Sequence, residues 1–204
     1  MSRLHSCLFA GAITLGLAGC ASAPLHYYTL VAPAGGGVPA TSPAPYPFEL
    51  LPVNVPAQVD VPQLVVREGG QGMLPLQGRR WIAPLGDEIR GALSADLARA
   101  LGVPDMSGLP GDGKPRLRIM LDVRRFESVP GSRALLDAAW SLRLVGGSGG
   151  QDALACTSLV SEPVAAGYDA LVAGHQQALA ALAARIAATA RAYEAGQAPA
   201  CPAD

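Results

Sequence analysis

The chain has 204 residues, half of them hydrophobic and 15% charged, with a formal net charge of −1 at pH 7. That length suits one domain with tails and allows a sizeable buried core. The near-neutral balance, with Lys114 the only lysine, provides no basic field of the kind that recruits nucleic acid.

The first residues read as an address. Arg3 precedes an apolar run from Cys7 that ends in Leu17-Ala18-Gly19-Cys20. A run of about a dozen residues is too short to span a bilayer, which takes ~20, and fits a signal h-region. The order of charge, apolar core, small residues and cysteine resembles the lipobox of bacterial lipoproteins. It implies that residues 1–19 are a signal peptide, cut before Cys20, and that Cys20 carries lipid. One acyl chain anchors only marginally, whereas the two or three chains of this class hold stably. The alternative is an ordinary secretory signal in which Cys20 is incidental. Ala21, not Asp, follows the cysteine. By resemblance to lipoprotein sorting, that points to the periplasmic face of the outer membrane. Cys7 leaves with the signal, so Cys156 and Cys201 remain. An even pair in an oxidising compartment favours a disulfide that ties the tail to the domain, two free thiols being the alternative.

Residues 20–47 read as a lipidated N-terminus and linker. Residues 25–31 have strand-like side chains, but 32–47 are rich in Pro and Gly and suit a loop or linker. Residues 48–55 read as a strand, with Pro52 demanding an edge or a bulge. A second strand candidate covers 63–67, a Gly-rich turn covers 68–72, and a short strand covers 73–76. Residues 82–101 carry the clearest helical pattern: Leu85, Ile89, Leu93, Leu97 and Leu101 recur every fourth position, and Gly102 is placed to cap the end. Residues 108–115 form a loop.

Alternation then returns. Leu117, Ile119, Leu121 and Val123 define one face of a strand over 116–126, with Arg118, Asp122 and Arg124 opposite. Strands over 133–145 and 153–160 complete an antiparallel meander, joined by Gly-containing turns. An Ala-rich helix over 168–193 shows the stripe Leu171, Leu179, Leu182 and Ile186. The prediction is a single α+β domain over 48–195, with two helices on one face of an antiparallel sheet, and an irregular tail over 196–204.

Several motifs tempt and fail. The segment 108–114 matches seven positions of a phosphate-binding loop, but Pro115 stands where Ser or Thr would hold magnesium, and a strand follows instead of a helix. Residues 146–150 match Gly-x-Ser-x-Gly around Ser148, but hairpin chemistry between two strands explains the glycines better. His26 and His175 have no companions at metal spacing, so no metal or cofactor is expected. Asp87 and Glu88 read as partners of the helix N-terminus. Two surface features stand out: Tyr27-Tyr28 near the anchor, and Arg80-Trp81 before the first helix, both of residue types enriched in interfaces. Core packing is the competing role for Trp81.

Taken in order, the lipobox, Tyr27-Tyr28-Thr29-Leu30, the run 53–67, Arg80-Trp81-Ile82-Ala83-Pro84-Leu85 and the strand pair around 123–126 and 134–140 resemble the PqiC-like, ABC-type transport auxiliary lipoproteins. The insert at 32–47 departs from that pattern. The resemblance implies a non-enzymatic, outer-membrane-anchored subunit of an MCE-type intermembrane lipid transport system. It would dock a PqiB-like MCE protein that crosses the periplasm, and it would support membrane integrity. Tyr27, Tyr28, Arg80 and Trp81 become candidate partner contacts, and a homo-oligomeric ring would match a ring-shaped partner. The rival is a structural or assembly lipoprotein of another envelope complex, and a third possibility is a hydrolase using Ser148.

Overall fold

A computed structural model describes residues 24–33, 40, 42–111, 113–146, 152–197 and 200–202. The lipobox, Ser148 and much of the Pro/Gly-rich insert lie outside the described residues. Among the described residues, seven strands and two helices run in the order β1 (His26–Tyr28), β2 (Phe48–Leu50), β3 (Gln63–Glu68), β4 (Gly72–Trp81), α1 (Leu85–Leu101), β5 (Arg116–Val129), β6 (Arg133–Val145), β7 (Leu154–Pro163) and α2 (Tyr168–Glu194).

The α+β class follows from the sequence pattern, but the strands divide into two sheets. One has the order β1-β4-β3 and the other β2-β5-β6-β7. The β5–β6–β7 meander is antiparallel throughout, as the alternation predicts. Each sheet also gains a short parallel strand from the N-terminal region: β1 pairs with β4, and β2 with β5. The strand-like residues 25–31 do contain a strand, β1, and Leu30 just after it is fully buried.

Local chemistry explains the boundaries. Pro84 disfavours helical geometry at Ala83 and is itself the non-helical N-cap of α1, so the helix starts at Leu85 and not at 82. Its stripe of Leu85, Ile89, Leu93, Leu97 and Leu101 is wholly buried. Gly102 ends α1 in the left-handed region at φ 70° and donates its N–H to Ala98 O. A side chain at Gly102 would press on Ala40 Cβ at 3.1 Å and Pro43 Cα at 3.2 Å. The insert thus returns to the domain against the end of this helix. In β5 the inward run Leu117, Ile119, Leu121, Val123 would place Arg125 inside. A register shift between Val123 and Arg125 turns both arginines outward and Phe126 inward.

The α2 helix lies across β6 and β7 and beside α1. Its small residues Gly174, Ala178, Ala183, Ala187 and Ala190 let backbones approach closely. The two helix N-termini share one end of the domain: Thr29 bonds to Glu88 on α1 and accepts from Gln176 on α2. The C-termini share the other end, where Arg191 donates to Ala100 O. Cys156 and Cys201 form a disulfide, pinning the tail beside β7.

Candidate functional site

The residues singled out before α1 and after the lipobox meet at the end of the domain that carries both helix N-termini. Parallel pairing sets His26 beside Arg79, Tyr27 beside Arg80 and Tyr28 beside Trp81. Each of the four candidate contacts has a different environment. Trp81 is only 4% exposed and packs edge-on against Phe126, with ring centroids 6.1 Å apart. Its ring packs in the core, the competing role raised for it by the sequence. Tyr28 is half-buried and donates its hydroxyl to Asp169 Oδ1 at 3.0 Å. Burial, then the Asp169 bond and charge, raise its pKa. Tyr27 is 54% exposed, and Arg80 beside it is half-buried.

Beneath this pairing lies a network that sequence reasoning missed. The buried carboxylate of Glu88 accepts from Thr29 Oγ1 and from the Leu30 amide, both at 2.8 Å. Instead of serving only the helix terminus, Glu88 pins the segment that follows Cys20 onto α1. The Arg79 guanidinium sits 4.2 Å from the centre of the Tyr168 ring at the start of α2, a cation–π contact that joins β4 to that helix. Glu127, also buried, bridges Arg67 at 3.2 Å and Arg133 at 2.7 Å. Burial alone would raise its pKa, but Arg133 and Arg67 hold it below the usual carboxylate range. Apart from the hairpin pair Glu127–Arg133, these contacts join residues distant in sequence, so no local pattern announces them.

His175 is fully buried. It stacks on Phe126 with centroids 3.9 Å apart, and its Nε2 lies 2.8 Å from Ser128 Oγ. Burial lowers its pKa to about 3, so it is neutral. A serine beside an imidazole can be a nucleophile and its base, yet both side chains are sealed from solvent, and the Nδ1 atom has no orienting partner among the described residues. The pair packs the core. His26 is exposed at the start of β1. Among the described residues no group of three His, Cys, Asp or Glu side chains is placed to hold a metal. The loop resembling a phosphate cradle is followed by β5 and not by a helix.

At the opposite end, Leu109 is exposed and borders a recess of about 340 Å³ with Glu49, Lys114, Arg116 and Arg118. A wider recess of about 670 Å³ lies on the sheet around Met120, Asp122, Arg124, Ser141 and Thr157, with Pro202 of the tail at its margin. No helix among the described residues is long and apolar enough to cross a membrane.

Residues 28–187 match the family described as the ABC-type transport auxiliary lipoprotein component. No curated protein matches the chain. Among solved structures, an uncharacterized protein aligns at 19% identity over 81% of this chain and 98% of its own, with a TM-score of 0.63. A Xanthomonas campestris protein aligns at 18% identity over 85% of this chain and 97% of its own, with a TM-score of 0.60. At those identities the likeness shows a shared fold.

Proposed function

The chain belongs to the ABC-type transport auxiliary lipoprotein family, and on that premise we propose that it is the outer-membrane lipoprotein subunit of an MCE-type intermembrane lipid transport system. Cys20 carries the lipid, and the α+β domain hangs directly below it. The domain docks a PqiB-like MCE protein arriving from the inner membrane, several copies forming a ring around its distal end, and so supports membrane integrity.

The observation that carries this reading is the spacing between Cys20 and the fold. Only residues 21–25 separate the lipobox cysteine from β1. Six steps of extended chain span about 20 Å. Such a tether suits a domain that works at the membrane surface. The subunit acts by binding and not by catalysis, a reading supported by the burial of its Ser128–His175 pair. The docking surface is the end bearing the helix C-termini, Leu109 and Arg118, because the other end is tied to the anchor.

Crosslinking in cells, followed by pull-down of the acylated protein, is expected to recover an MCE-domain protein. Repeated recovery of none, under conditions that capture other envelope complexes, overturns the partnership.

A further inference from the structure

We propose that the face formed by Leu25, Tyr27 and Ile82 rests on the lipid surface of the membrane that holds Cys20. The proposal deepens the reading above and rests on acylation of Cys20.

Strand geometry brings the three side chains together. Leu25 and Tyr27 are two residues apart, so they point to the same side of β1. Arg80 is the pairing partner of Tyr27, and Ile82 lies two residues further on that side, with its N–H bonded to Tyr28 O. The alternate residues Tyr28 and Trp81 turn inward toward Asp169 and Phe126. The most exposed large side chains on that side are apolar: Leu25 is 47%, Tyr27 54% and Ile82 62% exposed. Scattered exposed hydrophobics are ordinary on a protein surface, but a contiguous group marks a contact.

The length of chain before β1 identifies the occupant. From Cys20 the tether reaches about 20 Å when fully extended, and it ends at Leu25 itself. A bilayer holding the acyl chains is therefore always within range of this face. Leu109, equally exposed, lies on a different part of the surface, in a recess with Glu49, Arg116 and Arg118.

The chemistry fits an interface. Tyr27 pairs an apolar ring with a polar tip, the combination enriched where headgroups meet hydrocarbon. Arg80, its pairing partner on the same side, suits anionic headgroups. Next to Ile82 a recess of about 420 Å³ opens between residues 60–62 and Trp81–Pro84. Its walls include Val61, Pro62 and Ala83, with Asp60 the acidic group on it.

Spin labels at Tyr27→Cys, Ile82→Cys and Leu109→Cys, in the full acylated protein on phosphatidylethanolamine/phosphatidylglycerol vesicles, test the proposal. The mass of each purified sample first establishes acylation. Labels at 27 and 82 are expected to lose relaxation by a water-soluble nickel reagent while the label at 109 keeps it. Equal access of the reagent to all three labels in acylated protein overturns the proposal and leaves the lipoprotein reading intact. Labels at 27 and 82 that become protected only when an MCE-domain protein is added also overturn it, and assign the face to that partner. A mass showing no acyl chains removes the premise itself.

Discussion

Glu88 offers the sharpest test of how the anchor segment is held. Its carboxylate takes two hydrogen bonds from Thr29 and Leu30, and both Glu88 and Leu30 are buried. In Glu88→Ala the Leu30 amide loses its acceptor, at a cost of about 1–3 kcal/mol, and the charge-assisted bond from Thr29 adds about 1 kcal/mol. Relief of the carboxylate's own burial and the better helix propensity of alanine return roughly 1 kcal/mol. The net loss is about 2 kcal/mol, or roughly 4–8 °C in Tm for a domain of this size. Glu88→Gln keeps one oxygen for the Leu30 amide and should lose about half as much. Denaturant unfolding measures the stability, and hydrogen exchange at Leu30 reports the local release. In Glu88→Ala that amide should speed up more than amides in the centre of α1, such as Leu97. A Glu88→Ala protein within ~0.5 kcal/mol of the parent, with unchanged exchange at Leu30, would refute the account.

Four further outcomes follow from the packing. Cys201→Ser removes a crosslink over a separation of 45 residues, which chain entropy values at up to about 4 kcal/mol; an unchanged denaturant midpoint would show that the bridge contributes nothing. Burial lifts Glu194 to about 7 from its usual 4.5, with Arg191 opposing, so the folded state holds a proton that the unfolded state releases, and stability should fall as pH rises through that window. Glu194→Gln should flatten the fall, seen by comparing midpoints at the two ends of the window. His175, at about 3 against its usual 6.5, has the opposite sign: the unfolded imidazole takes up a proton first, so stability should decline as pH drops below 6.5, most visibly in the Glu194→Gln background. A side chain at Gly174 would overlap Val164 Cγ1 and sit 3.1 Å from Ala134 Cβ. Gly174→Ala should therefore lose about 1 kcal/mol net, overpacking of ~1–3 outweighing a helix-propensity gain of ~1, and added Val164→Ala should restore it.

The elements legible in sequence are those whose pattern is local. The leucine stripe of α1 and the alternation in β5 each repeat within a few residues, so burial follows from periodicity. Cys156 and Cys201 are legible by elimination, being the pair left once Cys7 in the expected signal peptide and Cys20, the expected lipid-bearing cysteine, are set aside. The parallel pairings β1–β4 and β2–β5 are a different case. Strands of three residues carry no usable period, and their partners lie some 50 to 70 positions downstream. For the same reason Pro75 hides the length of β4, which continues through Arg79 and Arg80 to Trp81. At the site, Tyr27 and Arg80 are recognisable as interface residue types. Trp81 has the same residue signature, and only the three-dimensional neighbour Phe126 decides that it is core.

The placement of β1 changes what the Pro/Gly-rich insert does. Read as part of a linker, residues 32–47 would lengthen the reach of the domain from its anchor. With Thr29 and Leu30 bonded to Glu88 on one side, and Ala40 and Ala44 donating to Arg99 O and Leu101 O on the other, the insert is a connection that starts at the first turn of α1 and returns at its last. Its length therefore adds nothing to the tether, which remains the five residues after Cys20. If Cys20 is the anchor, the domain cannot search the periplasm for a partner. Any partner must instead bring its own binding surface to within the reach of the tether plus one helix length, about 45 Å, of the membrane that the lipid occupies.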